Sequence, residues 1–380
     1  MQWGVYIHIP FCRQKCFYCD FPSYAGKENL MEAYVEALCQ QVKMQGLFYR
    51  QKWGQPATIY IGGGTPTALK WERMQGLLAV VQDTFGAGIG EFTVECNPGT
   101  VDAAYFEVLR AGGVNRLSFG VQSFQDELLK KIGRIHNREE AGMAVYLAQQ
   151  AGFSNISVDL MYGLPGQSLH DLQVSVREAH KLNIQHISIY GLQVEEGTAF
   201  ARMAEQGKLN LPAEEEAEAM YDYMTSALPQ LGYQRYEVSN FAQAGFASRH
   251  NRGYWQNVPY LGLGAAAHSY IEEKRYAAVE DIADYITGIN TGRPIWQLEE
   301  EPSRKHSMEE FAFLALRTTE GISRKAFAAQ FNKSLDAVYG PVMADLQSQG
   351  LLNVDEAGCR LTEKGFKYGN LVFAEFILEM

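Results

Sequence analysis

Short apolar runs alternate with stretches of helical periodicity over the first two-thirds of the chain. The runs, each rich in residues that favour β-strands, are Val5–Ile9, Thr58–Ile61, Phe92–Glu95, Arg116–Val121, Ile156–Met161 and His186–Leu192. Nearly continuous apolar strands that alternate with amphipathic helices are typical of a parallel sheet covered on both faces. The pattern therefore predicts an α/β fold of six βα units, and the spacing fits a partial barrel and an open doubly wound sheet equally.

The pattern changes near residue 301. From there the chain is predicted to form three helices, a hairpin at Leu351–Val354 and Cys359–Thr362, and a last helix, an order typical of a mostly helical, winged-helix-like domain. The predicted organisation is an α/β core at 1–235, a connecting segment at 236–300 and a C-terminal domain at 301–380.

Charge and hydropathy exclude several classes of partner. The 380 residues hold 33 Lys and Arg against 44 Asp and Glu, a net charge of −11, and the third C-terminal helix, predicted at Asp336–Gln349, holds no Lys or Arg. We therefore expect no nucleic acid as a partner. No apolar run approaches the roughly 20 residues that span a bilayer, and the N-terminus lacks the basic region of a secretory signal. The protein is expected to be cytoplasmic and not membrane-spanning.

Chemically unusual residues lie just after most of the predicted strands. Because the carboxyl ends of parallel strands meet at one edge of a sheet or barrel, where ligands bind, these residues are expected to share one site. They are Cys12, Cys16 and Cys19, the turn 62–66, the stretch 95–98, Gln122 and Ser123, and the turn 163–166, with Asp159 at the end of the fifth run.

Three of the six cysteines stand within eight positions, at Cys12, Cys16 and Cys19. Structural zinc commonly takes four ligands as two CxxC pairs, and no second pair exists in this chain. A disulfide between two of these three cysteines would leave the third thiol unpaired. Three closely spaced thiolates fit a [4Fe-4S] cluster with one iron open to an external ligand. The remaining cysteines, at 39, 96 and 359, are interpreted as small core residues.

The CxxxCxxC spacing is similar to that of radical S-adenosylmethionine (radical SAM) enzymes. Further motifs resemble the oxygen-independent coproporphyrinogen III oxidase superfamily, and they are Tyr6–Cys12, Gly62–Thr67, Glu95–Gly99, Asn115–Phe124, Asp159–Gly166 and Glu195–Thr198. Within it, Tyr236–Ala242 and the HNRGYW motif at His250–Trp255 resemble a branch of haem-binding proteins that act as haem chaperones. The resemblance covers most of the chain and implies a radical SAM core built as a partial six-unit (β/α) barrel.

The resemblance also implies a cofactor site. Cys12, Cys16 and Cys19 would hold the cluster. Tyr18 would pack near the adenine, and Glu95 would accept hydrogen bonds from ribose hydroxyls or the amino group. The positions that match S-adenosylmethionine contacts are Tyr6, Tyr18, Gly63, Gly64, Thr65, Glu95, Gln122, Arg134 and Asp159.

Haem is the third ligand that the resemblance implies. Imidazole is a usual axial ligand of haem iron, and His250 lies in the HNRGYW motif beside Tyr254 and Trp255, whose rings could cover a porphyrin face. A single histidine in a polar loop is more often a surface or hydrogen-bonded residue. The alternative ligands are His8, His136 and His268.

One departure from the oxidase pattern bears on function. The oxidase motif runs CxxxCxxCxC, but Phe21 stands two positions after Cys19, so a polar or redox-capable group is missing there. The favoured hypothesis is a haem chaperone that passes haem to haem-requiring client proteins, with respiratory proteins as one class to consider. The alternative is an oxygen-independent coproporphyrinogen III oxidase or another radical SAM enzyme acting on a tetrapyrrole. A third hypothesis is a structural zinc protein without radical chemistry.

Overall fold

The computed structural model describes residues 2–378. The strands are β1 (Gly4–Ile9), β2 (Thr58–Gly63), β3 (Glu91–Cys96), β4 (Arg116–Gln122), β5 (Ile156–Tyr162), β6 (His186–Gly191), β7 (Gln234–Arg235), β8 (Asn240–Ala242), β9 (Tyr260–Leu263), β10 (His268–Ile271), β11 (Lys274–Ala278), β12 (Trp296–Glu300), β13 (Ile322–Ser323), β14 (Leu352–Val354) and β15 (Gly358–Leu361).

The α-helices follow the strands in the predicted alternation. They are α1 (Met31–Gln41), α2 (Leu47–Trp53), α3 (Trp71–Phe85), α4 (Ala103–Ala111), α5 (Asp126–Lys131), α6 (Arg138–Gln150), α7 (Leu169–Lys181), α8 (Ala199–Glu205), α9 (Glu214–Gln230), α10 (Arg249–Trp255), α11 (Ile282–Thr291), α12 (Arg304–Leu316), α13 (Arg324–Phe331), α14 (Leu335–Ser348), α15 (Glu363–Lys367) and α16 (Gly369–Glu375). No helix among residues 2–378 is long and apolar enough to cross a membrane.

The six predicted runs form β1 to β6, which pair in parallel and in chain order. Their alternate side chains are buried against the surrounding helices, as Val5, Ile7 and Ile9 of β1 illustrate. The prediction of an α/β fold with a mostly parallel sheet is therefore confirmed. The sheet forms a partial barrel that does not close on itself, because β7 and β12 form its two edges.

The segment 236–300 contributes more than a connection. It supplies β8 to β12, so that β9 pairs in parallel with β1 and β8 pairs antiparallel with β6. The sequence did not predict these strands because they are short and their hairpin lacks the usual turn residues. Glu272 and Glu273 form the turn between β10 and β11 with φ of +51° and +63°, where Asn-Gly or Asp-Gly is the common signal.

The C-terminal part has the predicted order of three helices, a hairpin and a further helix. The structure adds the short strand β13, which pairs with β15, and a last helix, α16. These elements share a hydrophobic core of their own, centred on Phe327, Tyr339 and Phe366. The domain boundaries at 235 and 300 stay predictions.

Candidate functional site

The three clustered cysteines lie on a loop that follows β1 at the carboxyl edge of the sheet. Two backbone hydrogen bonds close this loop, from Cys12 N to the Tyr24 carbonyl at 3.0 Å and from Tyr24 N to the Pro10 carbonyl at 2.8 Å. A third bond, from Phe17 N to the Ile132 carbonyl at 3.1 Å, ties the middle of the loop to the core. The thiols are thus carried by a backbone that is fixed at its base and its centre, as a pre-organised metal site requires.

The groups around the thiols fit an iron–sulfur cluster. Cys12 Sγ lies 3.6 Å from the Thr65 hydroxyl. The Arg134 guanidinium donates to Cys16 Sγ at 3.4 Å. Burial raises the pKa of Cys12 and of Cys19, so a metal must displace their protons to obtain thiolate ligands. Within residues 2–378, no group of three His, Cys, Asp or Glu side chains is placed to hold a single metal ion.

The glycine-rich turn after β2 packs directly against the cysteine loop. A Cβ atom on Gly63, whose φ is +111°, would lie 2.5 Å from the His8 ring. A Cβ atom on Gly64 would lie 2.8 Å from the Phe11 carbonyl oxygen and 3.1 Å from Cys12 Sγ. Only glycine allows this close approach, so the two loops form one unit.

Glu95, at the carboxyl end of β3, is almost enclosed by the barrel wall. It accepts hydrogen bonds from the Tyr60 hydroxyl at 2.7 Å and from Gly63 N at 3.1 Å. Burial raises the pKa of Glu95 to about 7, against the opposing effect of the Tyr60 hydrogen bond. Its carboxyl group therefore titrates near neutral pH, and the ionised form can accept hydrogen bonds from hydroxyl or amino groups.

β4, β5 and the loops after them supply the remaining predicted contacts. The Arg134 guanidinium also donates to the Gly120 carbonyl. Gln122 has a φ of +69° at an irregularity in the pairing of β4 with β5, a conformation uncommon for non-glycine residues and often found at functional sites. Asp159 accepts a hydrogen bond from the Ser118 hydroxyl at 3.2 Å, and burial raises its pKa.

One cavity of about 1330 Å³ joins most of these groups. The predicted site residues that line it are Cys12, Cys16, Cys19, Tyr18, Gly63, Gly64, Thr65, Glu95, Gln122, Arg134 and Asp159. Tyr6 and His250 do not line it. Tyr6 packs behind Tyr60, with the ring centroids 6.3 Å apart, and its hydroxyl bonds His8 Nδ1 at 2.9 Å.

The cavity continues beyond the cysteine loop to the C-terminal part of the chain. Its far wall includes Tyr254 and Trp255 of α10 and the residues around the junction of α15 and α16. Large apolar side chains that are exposed to solvent line it as well, and they are Phe21, Tyr190, Leu211, Tyr368 and Leu371. Exposed apolar side chains around a cavity mark a site for a ligand or a partner.

His250 is buried inside the barrel near the start of β1 and β2. Its Nδ1 bonds the Thr58 hydroxyl at 2.8 Å, its Nε2 bonds the Tyr254 hydroxyl at 2.9 Å, and its ring stacks on Tyr60 with centroids 5.2 Å apart. Burial lowers the pKa of His250 to about 3, so the ring is neutral. Both ring nitrogens are engaged in this conformation.

The alternative histidines differ in their surroundings. His8 is buried, and both of its ring nitrogens are bonded, to Tyr6 and to the Pro22 carbonyl. His136 is buried, and its Nδ1 has no partner among residues 2–378. His268 is exposed and forms an ion pair with Glu299 at 3.0 Å if it is protonated.

The sequence did not reveal two arginines that also line the cavity. Arg116, the first residue of β4, is 1% exposed. It stands inside the Asn115–Phe124 motif, which was the available signal. Arg317 follows α12 and meets α10 only through the packing of the C-terminal part on the core. No local pattern predicts that contact.

The fold and the site define a radical SAM protein. Residues 6–179 match the family model of the radical SAM superfamily, and residues 303–367 match that of the HemN C-terminal domain. The structure of coproporphyrinogen III oxidase HemN from Escherichia coli, at 22% identity, superposes with a TM-score of 0.85 and covers 100% of this chain and 91% of that one. This likeness shows a shared fold.

Sequence relatives identify the family within that class. The heme chaperone HemW of Bacillus subtilis is 41% identical over 381 residues, covering 99% of this chain and 100% of its own. HemW of Escherichia coli is 34% identical over 379 residues, covering 99% and 98%. The chain belongs to the HemW family.

Proposed function

We propose that this protein is a haem chaperone that holds a [4Fe-4S] cluster, S-adenosylmethionine and haem, and passes the haem to client proteins. The observation that carries the proposal is the extent of the cavity. At about 1330 Å³ it exceeds the roughly 300–1,000 Å³ of an ordinary small-molecule site. Space therefore remains for a second large ligand beside the cofactor. The chaperone name of the HemW relatives supports the same conclusion.

The cysteine end of the cavity is assigned to the cluster and the cofactor. Cys12, Cys16 and Cys19 would supply three thiolates, and a bound cluster would supply an electron and an open iron for the amine and carboxylate of S-adenosylmethionine. Glu95, in its ionised form, would accept hydrogen bonds from the ribose. Arg134, close to Cys16, would stabilise the thiolate charge and orient a carboxylate through its planar fork.

The opposite end is assigned to haem. A porphyrin is a broad, flat, mostly apolar ligand, and Trp255, Phe373 and Leu371 give this end apolar surfaces. Leu371 is 67% exposed, so a haem in contact with it would remain accessible to an acceptor protein. A chaperone needs this accessibility, because its ligand must leave intact.

Phe21 supports the choice of chaperone over oxidase. It is 63% exposed and lines the cavity beside the cysteine loop. Its phenyl ring can neither transfer a proton nor coordinate a metal, so this position adds apolar contact area and no chemistry. We propose that the cavity binds a tetrapyrrole without decarboxylating it.

His250 is retained as the proposed haem ligand on the strength of its motif. Because Nε2 is bonded to Tyr254, iron ligation requires that this hydrogen bond break and that Tyr254 move aside. Until then the imidazole supports the wall of the cavity.

The proposal is tested on anaerobically reconstituted protein with three assays run in parallel. We expect one haem per chain in an absorbance titration, transfer of that haem to apomyoglobin as a stand-in acceptor, and no consumption of coproporphyrinogen III. A variant with Ala at positions 12, 16 and 19 reports how far haem uptake depends on the cluster. Conversion of coproporphyrinogen III would instead establish the oxidase, and zinc in place of iron and sulfide would establish a structural metal protein.

A further inference from the structure

Arg317 occupies an unusual position where the C-terminal part meets the core. It follows α12 and lines the cavity. Its guanidinium lies over the Trp255 ring at 4.5 Å and over the Phe313 ring at 5.5 Å. Both distances are within the range of cation–π contacts, so the faces of the guanidinium are engaged and its N–H groups are the part that can bind a ligand.

Three other cations at this junction are paired, and Arg317 is not. Arg252 pairs with Glu320, Arg275 pairs with Glu310, and Lys367 pairs with Asp222 at 2.8 Å. Among residues 2–378 no carboxylate lies within 4.0 Å of the Arg317 guanidinium.

Glu237 is the carboxylate whose charge acts on Arg317, but its oxygen already accepts hydrogen bonds from other groups. Glu237 accepts hydrogen bonds from Ser239 N at 2.9 Å and from the Asn240 side chain. The guanidinium is partly buried without a direct ion-pair partner, and burial lowers the pKa of Arg317 against the opposing effect of Glu237. Partial burial of an unpaired cation is unfavourable, so this arrangement is explained if a ligand supplies the missing negative charge.

A second hydrogen-bond donor, the indole N–H of Trp255, belongs to the ring that Arg317 contacts. The Trp255 Nε1–H is buried and has no acceptor among residues 2–378, and the same holds for the Arg317 Nε–H. Both residues line the cavity. Two unsatisfied donors on residues that line one cavity are suited to an acceptor with two oxygens and a negative charge, which a carboxylate provides once it reaches them.

We propose that Arg317 and Trp255 bind a carboxylate of the ligand held at this end of the cavity, which for haem is a propionate. The inference rests on the proposed haem-binding function and adds a specific subsite to it. It makes the C-terminal part of the chain a component of the haem site, because Arg317 belongs to that part and Trp255 to α10 of the preceding segment.

The test compares haem with haem dimethyl ester, in which both propionates are blocked, on the reconstituted full-length protein. Arg317→Gln is expected to weaken haem binding by about tenfold or more, the usual effect of removing a charge-assisted hydrogen bond. Its effect on the ester is expected to be no more than about twofold. Trp255→Phe keeps an aromatic ring but deletes the N–H and part of the apolar surface. It should therefore weaken haem binding less than Arg317→Gln does, and it should weaken the binding of haem more than that of the ester.

Arg275→Gln is the matched control, since it removes a positive charge at the same junction from a residue that lies outside the HNRGYW motif and does not line the cavity. Arg317→Lys keeps the charge and covers the case in which Arg317→Gln does not fold. Arg317→Lys should lose less haem affinity than Arg317→Gln does, and its affinity for the ester should stay unchanged. Equal losses for haem and ester, or no loss for either, would overturn the assignment. Wild-type protein that binds neither ligand would instead refute the haem-binding function itself.

Discussion

Buried carboxyl groups and close-packed glycines determine the chemistry of the cysteine end of the cavity. Their positions could be predicted, because Glu95, Gly63 and Gly64 each stand at the end of a strand whose apolar pattern is clear. Their environments could not, since the burial that shifts the pKa of Glu95 depends on strands far apart in the sequence. The same limit applies to Arg317, whose partner ring belongs to another part of the chain.

Glu95 gives a prediction on pH and stability. Its pKa rises from 4.5 to about 7 on folding, so the folded protein binds more protons than the unfolded chain within that window. The free energy of unfolding should therefore fall as the pH rises through it, by about 3 kcal/mol in total. Glu95→Gln should remove this dependence, as measured by urea unfolding across the window. Asp20→Asn, at an exposed carboxylate, is the control, and an unchanged pH profile in Glu95→Gln would contradict the assignment.

Gly64 gives a prediction on cluster loading. Gly64→Ala places a methyl group 2.8 Å from a backbone oxygen and 3.1 Å from Cys12 Sγ, which forces the two loops apart at a cost of about 1–3 kcal/mol. Iron and sulfide content per chain after reconstitution should fall well below that of wild type. Gly76→Ala, at a helical glycine with open space around it, should reconstitute normally. Equal cluster content in the two variants would show that the loops tolerate the methyl group.

At the scale of elements, long apolar runs were predictable and short edge strands were not. The runs that became β1 to β6 are mostly buried, so their sequences carry a nearly continuous apolar signal. β9 to β12 depend on pairing beside β1, and the Glu272–Glu273 turn gives no hairpin signal. The HNRGYW motif is identified through the family resemblance, but its folding into α10, which buries His250 in the barrel, follows from tertiary contacts with β2 and β3.

A prediction on α10 separates a structural role of His250 from ligation of the haem iron by His250. His250→Ala leaves the Thr58 and Tyr254 hydroxyls without their partner, so the free energy of unfolding should fall by about 1–3 kcal/mol for each buried group left unsatisfied. If His250 also binds iron, His250→Ala should change the absorption and magnetic spectra of bound haem, and Tyr254→Phe, which frees Nε2, should tighten haem binding. Unchanged spectra in His250→Ala would remove His250 from the haem site.

At the scale of the whole molecule, the C-terminal part forms a wall of the cavity. Lys367 pairs with Asp222, and Arg235 pairs with Glu363, so ion pairs join this part to the core on the side where the cavity opens. Its winged-helix-like order could suggest nucleic-acid binding, yet its placement beside the cavity accounts for its presence without such a partner. Haem capture is therefore expected to depend on both parts of the chain.

The most direct test of the central claim is a haem titration of reconstituted Leu371→Glu beside wild type. Leu371 is an exposed leucine at the cavity, and Leu298, on the edge strand β12, is an exposed leucine outside it. We predict one haem per chain for wild type and for Leu298→Glu, and about tenfold weaker binding or worse for Leu371→Glu, with the same iron and sulfide content in all three. Equal haem affinity in the two variants, or no haem uptake by wild type, would contradict the account.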